Sequence, residues 1–508
     1  MNAPSSPSSC LDAYNTEFNR SEQELFVSKS ATTSFFWYDF ETTGVDPAKD
    51  RPMQFAGIRT DLEFNPIGDP IMLYCKLAED VLPHPDACLL TGITPQDANR
   101  EGLPEAQFLA QIEAELAMPG TCSLGYNTLR FDDEVVRHSF YRNFIDPYAR
   151  EWQNGCSRWD IIDLVRMAYA MRPEGIEWPK KEDGSYSFKL EDLTKANGIA
   201  HEQAHDALSD VHGTIALAKL IKAKQPKLFD YYYSMRDKAS LQQFIDPIRM
   251  KPFLHISGMF GQERKFAAFV APVAPHPTNK NGIIVYDLMC DAQPLIDLSV
   301  EQIRERVFSS KELLGDVERL PLKVIHLNKC PAVAPATFLK DQGVVNRLGL
   351  DGSICRANLA KIKQASGLAA KLTQIFMQEY DQIDKDPDLM LYSGGFFSRD
   401  DKQRMEEIRQ TPNDILGELE MTFDDRRLPE MFTRYIARNC PEQLNAQQRE
   451  EWEEYRRIRL LESDGSGSIT MQAYFNRLNE LAMDESLADS KRIMLQDLAD
   501  YAQSIYPY

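Results

Sequence analysis

The segment SFFWYDFETTG constrains the fold more than any other. The apolar and aromatic residues Phe35 to Tyr38 read as a buried strand that ends in Asp39, Phe40 and Glu41 and turns at Gly44. Residues i and i+2 of a strand share a face, so Asp39 and Glu41 present two carboxylates together. Two such groups repel unless a cation joins them. Taken alone, the pair also reads as an ordinary solvated strand end, so other carboxylates must converge on it before metal binding follows.

The surrounding pattern is α/β. FAGIRTD and IMLYCKL read as neighbouring strands, and TCSLGYN as a short strand and turn between helical spacings over Glu105 to Leu116 and Asp133 to Tyr141. From Ala204 to Lys224, Leu208, Val211, Ile215 and Ala218 form one apolar helix stripe, with basic residues gathering at its C-terminal end. After KQPKLFDYYY come short β-like runs, FAAFVAPVAP, GIIVYDL and LKVIHLNKCP, separated by Pro, Asn and Gly. Beyond about Asp381 the pattern is helical and strongly charged, as in EEWEEYRRIRLLE and MQAYFNRLNELA, with GSGS as a break.

A chain of 508 residues, 43% of them hydrophobic, exceeds what one core sustains, since single cores stop growing at about 250 to 300 residues. The expected division is a flexible tail over 1–33, an α/β domain over 34–225, a β-rich domain over 226–380 and a helical domain over 381–508. The opening MNAPSSPSSC is polar, with neither a basic start nor an apolar run behind it. No stretch approaches the roughly 20 apolar residues that span a bilayer. Nine cysteines without close CxxC pairing suggest neither a zinc knuckle nor a complete disulfide framework, so a soluble protein of the reducing cytoplasm is expected. A net charge of -20 weighs against nonspecific binding of polyanions, so any nucleic-acid site must be a local basic surface.

Two further motifs carry candidate chemistry. In GYNTLRFDDE, Asn127 and Phe131 fix a turn into a helix whose first turn holds Asp132, Asp133 and Glu134, although acidic residues favour helix N-termini anyway. In HDALSD, His205 stands at a helix entrance and Asp210 five residues later; on an ideal helix these would not share a face, which places His205 on the loop or in the first turn. Alone, His205 reads as a cap or packed surface residue. The order and spacing of all three motifs together change that reading.

DFE, then N-x-x-x-F-D, then H-x-x-x-x-D resembles the pattern of the DEDD exonucleases, in the subgroup that carries histidine. The resemblance implies an RNase H-like fold, with Asp39, Glu41, Asp132 and Asp210 as metal-binding carboxylates and His205 as general base. It narrows to one three-domain bacterial branch through RPMQFAGIRTD, GYNTLRFDDEVVR, FYRNFIDPYA, SRWDIID, RPEGIEWP and LTKANGI, and past the first domain through MKPFLHISGMFG, HLNKCP, NRLGL and GGFFS. For that branch it implies an SH3-like middle domain and a helical C-terminal domain, which with the first enclose a single DNA strand.

The implied activity is 3′-to-5′ degradation of single-stranded DNA to 5′-mononucleotides, processive and serving DNA repair and recombination. Carboxylate oxygens are hard ligands suited to Mg²⁺ or Mn²⁺, and two ions about 3.5 to 4 Å apart can stabilise both attacking and leaving oxygens. By analogy Asp39 bridges the ions, Glu41 and Asp210 lie beside it, and Asp132 serves the second ion. The same resemblance makes Glu41, Lys189, Arg137, Tyr148, Trp152, Arg166, Phe188 and Asn281 the candidates for contact with the strand. Arg172 and Tyr231 lie near an expected docking surface for the acidic tail of single-stranded DNA-binding protein, and a monomer is implied. An RNA exonuclease of the oligoribonuclease or ribonuclease T type would use the same five catalytic residues. An inactive nucleic-acid-binding scaffold would not need all five, and a small-substrate phosphatase would leave the two further domains unexplained.

Overall fold

The computed structural model describes residues 32–201, 206–377, 386–463 and 465–507. The expectations for His205 and for all but the end of the N-terminal tail lie outside them. The first sheet contains β1 (Ser34–Thr42), β2 (Pro52–Thr60), β3 (Ile71–Tyr74), β4 (Thr121–Gly125) and β5 (Ser157–Asp160), in the order β3-β2-β1-β4-β5. β1 pairs antiparallel with β2 and parallel with β4, so it lies in the middle of a mixed sheet. That position explains its composition: Ser34 to Tyr38 are all buried, and only from Asp39 does burial alternate, with Asp39 and Glu41 partly exposed while Phe40 and Thr42 stay inside. The strand therefore carries two carboxylates on one face, anchored from the other.

Helices cover both faces of this sheet: α1 (Glu105–Leu116), α2 (Asp132–Arg142), α3 (Ile161–Met171), α4 (Leu190–Ala196) and α5 (Ala207–Lys224). In α5, Val211, Ile215 and Ala218 are buried and Leu208 half-buried, the stripe the spacing predicts. Gly125 closes β4 where a Cβ would stand 2.5 Å from the Tyr38 carbonyl oxygen, so only glycine lets the GYN turn run this close to β1. Asn127 then takes φ 68°, and a short 3₁₀ turn leads into α2.

The second sheet, β6 (Phe253–Ile256), β7 (Ala267–Pro275), β8 (Gly282–Asp287), β9 (Leu322–His326) and β10 (Ala332–Pro335), runs β10-β6-β7-β8-β9 and is antiparallel throughout. The three β-like runs of the sequence are β7, β8 and β9. Around the sheet lie helices that a search for β-branched runs passes over, including Val300–Phe308, which buries Ile303 and Val307 and begins with a Ser299–Gln302 capping box, and Gly352–Gln364, which buries Cys355 and Ile362. One hydrophobic core runs from β1 and α3 into this sheet, so the two units are not separately packed bodies.

The C-terminal part is helical, with α6 (Leu428–Asn439), α7 (Ala446–Leu461), α8 (Met471–Ala482) and α9 (Asp489–Ser504). It grips the first domain through two apolar patches, one joining residues 77–98 to 460–505 and one joining Tyr141 and Phe144 to residues 391–452. Buried ions lie in the joint: Arg438 bridges Asp80 (3.0 Å) and Asp388 (2.6 Å), all nearly sealed from solvent, while Arg459 donates to the carbonyls of Asp80 and Lys49. Ser468 donates to Asp50, in the turn that follows the DFETTG segment. No helix among the described residues is long and apolar enough to cross a membrane.

Candidate active site and strand channel

Strand β1 and helix α5 bring Asp39, Glu41 and Asp210 together, with one oxygen from each lying within 4.8 Å of the others. Asp132 lies beside this triad, at the start of α2, and accepts from the Phe40 N–H of β1 at 3.1 Å. The structure also separates the three consecutive acids of FDDE. Asp133 is buried between Arg150 and Arg158 (2.6 Å to Arg158) and accepts from the Tyr38 hydroxyl at 2.6 Å, so its carboxylate is a structural anion held well below the usual range by the two guanidiniums against the cost of burial. Glu134 pairs with Arg137 (2.8 Å) and Lys329 (3.2 Å). Of the three, only Asp132 bonds to the β1 backbone between Asp39 and Glu41, whereas Asp133 meets β1 through the buried Tyr38 hydroxyl.

The electrostatics around Asp39, Glu41 and Asp132 favour a cation. Burial, then the charges of Asp210, Asp132 and Asp206, pushes Glu41 up to about 8. Burial, then Asp132 and Glu41, pushes Asp39 well above the usual carboxylate range, and burial does the same to Asp132. In none of the three is a cationic side chain among the leading influences, in contrast with Asp133. Hard oxygen donors that repel one another, as those of Asp39, Glu41 and Asp132 do among the described residues, fit one or more divalent cations.

The expected strand-contacting residues divide by environment. Trp152 is 68% exposed, and with Tyr148 it lines two adjoining hollows. One, of about 610 Å³, is completed by Tyr141, Phe396 and Phe397; the other, of about 990 Å³, by Arg158, Arg236, Lys238 and Asn281. The Asn281 side-chain oxygen is buried and has no hydrogen-bond partner among the described residues. Lys189 is exposed, with Glu191 3.2 Å away. Arg166 is mostly covered, bonded to Asp163 at 2.8 Å and set over the Phe266 ring. Phe188 is half-buried among Tyr169, Trp178 and Phe266. Arg137 is the least available: only 3% of its side chain is exposed, and it is bonded to Glu134 and in two places to Glu151.

Arg172 and Tyr231 do share a surface. Both line a hollow of about 920 Å³ with Lys227, Leu228, Phe338 and Lys340, where Arg172 lies 3.2 Å from Asp341 and the buried Tyr231 hydroxyl has no partner among the described residues.

Two residues of the site are not singled out by the motifs. Asp160 ends β5, caps α3 through Ile162 N–H, and accepts from the N–H groups of Asn127 and Leu129, thereby fixing the turn that aims Asp132; an Asp directly before IIDLV is a legible cap. His201, four residues before His205, contacts Asp210, and nothing in its sequence surroundings announces that.

Comparison with known proteins agrees with this geometry. Residues 36–218 match the family described as Exonuclease, 236–378 the Exonuclease I SH3-like domain, and 385–505 the Exonuclease I C-terminal domain. Exodeoxyribonuclease I of Haemophilus influenzae is 46% identical over 471 residues, covering 92% of this chain and 98% of that one; the Escherichia coli protein is 45% identical over 474 residues, covering 93% and 98%. Among solved structures, Exonuclease I of Methylocaldum szegediense superposes with a TM-score of 0.89 at 47% identity, over 93% of this chain and 99% of that one. E. coli Exonuclease I in complex with a dA16 oligonucleotide gives 0.89 at 45% identity, over 93% and 100%. A structure of SSB/Exonuclease I with the inhibitor CFAM gives 0.85 at 43% identity, over 94% and 100%.

Proposed function

Because the chain belongs to the exodeoxyribonuclease I family, we propose that its carboxylate triad is the centre of a two-metal exonuclease that releases 5′-mononucleotides from the 3′ end of single-stranded DNA. The chain is a metal-dependent hydrolytic nuclease, and the observation that carries the finer reading is the convergence of Asp39, Glu41 and Asp210 within 4.8 Å. Mg²⁺ is the cation such oxygens suit best in the cell, with Mn²⁺ able to replace it.

Asp39, Glu41 and Asp210 would hold the ions with Asp132 beside them, and the ions supply Lewis acidity at the phosphorus. The protein's own part is placement. β1 is rigid and central, so its two carboxylates keep one spacing, and the Asp160-capped turn fixes the approach of Asp132. His205 is assigned as the base that takes a proton from the attacking water because it stands at the histidine of the family's H-x-x-x-x-D motif.

The strand would reach this centre past the exposed ring of Trp152 and the half-buried ring of Tyr148, on which bases can stack, while Arg236, Lys238 and Lys189 attend the phosphates and the buried Arg158 stays with Asp133 and Glu151. Asn281, just before β8, lines the same path. Arg137 would act from behind, through Glu134 and Glu151. Enclosure by three domains slows dissociation and favours processive digestion, in the service of DNA repair and recombination. The hollow at Arg172 and Tyr231, rimmed by lysines over an apolar floor, is assigned to the acidic tail of single-stranded DNA-binding protein. We take the protein to act as a monomer in the bacterial cytoplasm.

The test is the product pattern. A 5′-labelled single strand should shorten stepwise with Mg²⁺, liberating 5′-monophosphates, while the matched RNA and duplex persist. Faster loss of the RNA would assign the chain to an RNA-degrading branch of the same chemistry, and internal cuts would contradict the reading.

A further inference from the structure

His201 is a buried histidine that the proposed chemistry does not use. It lies between α4 and α5, its side chain only 3% exposed. Its Nε2 lies 2.6 Å from Asp210 Oδ1 and its Nδ1 3.0 Å from Thr194 Oγ1. Thr194 is fixed in turn, its hydroxyl lying 2.9 Å from the Leu190 carbonyl and 3.0 Å from that of Glu191, one turn back along α4. The ring also rests on α5 at Gly213, one turn beyond Asp210, where a Cβ would meet three ring atoms at 3.5 Å. The imidazole is thus held on three sides: by α4 through Thr194, by the backbone of α5 beneath it, and by the carboxylate it faces.

We propose that His201 is a positioning residue for the metal site: it holds one oxygen of Asp210 so that the carboxylate plane is fixed and the residue enters the triad with Asp39 and Glu41 already oriented. A carboxylate is acceptor-only, so the contact is donated by Nε2–H, and the Thr194 contact at Nδ1 fixes the ring plane. A free Asp side chain on the first turn of a helix samples several rotamers, and a pinned one does not have to be ordered when the ion arrives. Partners of this kind behind a metal ligand are typically worth about 10 to 100-fold in metal affinity. His201 cannot double as the base that meets water, because both ring nitrogens are engaged and the ring is buried.

This inference rests on the reading of the triad as a metal site, and the experiment separates the two. Mn²⁺ alone, without DNA, is titrated into the full-length chain and free ion is read by electron paramagnetic resonance, for the natural protein, Asp210→Asn, His201→Phe and His201→Gln. The expected result is binding that is lost in Asp210→Asn, about 10 to 100-fold weaker in His201→Phe, which keeps a ring without a donor, and restored to within a few-fold in His201→Gln, whose amide N–H can replace Nε2–H. Equal binding by the natural protein and Asp210→Asn would sink the metal-site reading itself. Loss in Asp210→Asn with natural affinity in His201→Phe would overturn the positioning role alone. Should His201→Phe fail to fold, Thr194→Val withdraws the brace while leaving the histidine, and unchanged Mn²⁺ affinity in that variant overturns the proposal.

Discussion

Replacing Glu41 by Gln should make the metal-free protein more stable and the metal-loaded protein less so. Burial and the charges of Asp210, Asp132 and Asp206 push the Glu41 carboxyl from 4.5 up to about 8. A folded-state pKa raised this way favours folding below the unfolded value and loses that benefit as pH rises through the folded value, so ionised Glu41 opposes folding most at about pH 8 and above. At about 1.4 kcal/mol per pKa unit the full effect is at most about 5 kcal/mol, and the partial exposure of the group reduces it to roughly 1 to 3 kcal/mol. For a domain of this size that is roughly 2 to 10 °C in melting temperature. In EDTA, Glu41→Gln should therefore melt above the natural protein at pH 8, and the two should converge as pH falls below about 4.5. With Mg²⁺ the order should reverse, because an ion at roughly a thousandfold excess over its dissociation constant stabilises a competent site by about 4.1 kcal/mol and the variant lacks a ligand. Thermal melts by differential scanning fluorimetry in the two buffers measure both signs. A Gln variant that melts lower than the natural protein in EDTA at pH 8, or Mg²⁺ shifts equal in the two proteins, would refute the reasoning.

Trp152→Ala should weaken binding of a single-stranded oligonucleotide by about 1 to 3 kcal/mol, read by fluorescence anisotropy, without moving the melting temperature, since the ring is 68% exposed. Arg438→Ala leaves buried Asp80 with only the more distant Arg459 (3.6 Å) and Arg51 (3.9 Å), and Asp388 with Arg434 (3.5 Å), and should cost about 3 kcal/mol in urea unfolding, the low end for a broken buried pair; Lys should recover only part. Arg172→Ala should reduce capture of an acidic peptide that copies the tail of single-stranded DNA-binding protein, measured by calorimetry, while degradation of bare single-stranded DNA stays at the natural rate.

What the sequence discloses depends on how local the determining physics is. β1 is legible because a run of buried aromatics followed by alternating acids is a property of one strand, and burial along Ser34–Thr42 follows that pattern residue by residue. The same holds for α5, whose apolar stripe lies in one continuous segment, while the buried face of α7 mixes Trp452 and Leu460 with Arg456 and Arg459, whose partners lie elsewhere in the chain. The choice among Asp132, Asp133 and Glu134 is not local: Arg150, Arg158 and Tyr38 claim Asp133, and Lys329 joins the i+3 partner Arg137 on Glu134, from positions that, Arg137 apart, spacing alone does not bring together. Arg137 shows the same limit, since its type suits a phosphate while its surroundings commit it to Glu134 and Glu151. The helices around the second sheet are missed for another reason: Ile303 and Val307 stand within EQIRERVF, whose β-branched residues at helical spacing give two conflicting local signals. His201 is invisible for the most general reason, that its meaning comes only from the carboxylate it meets on the next helix.

The most direct test of the account is release of a 3′-terminal label from single-stranded DNA with Mg²⁺, comparing the natural protein with Asp210→Ala. The account predicts rapid loss of the label as mononucleotide by the natural protein, and loss of that activity when either the Asp210 carboxylate or the Mg²⁺ is removed. Undiminished release by Asp210→Ala, or release by the natural protein in EDTA, would contradict the claim that the acids gathered by β1 and α5 are the catalytic centre.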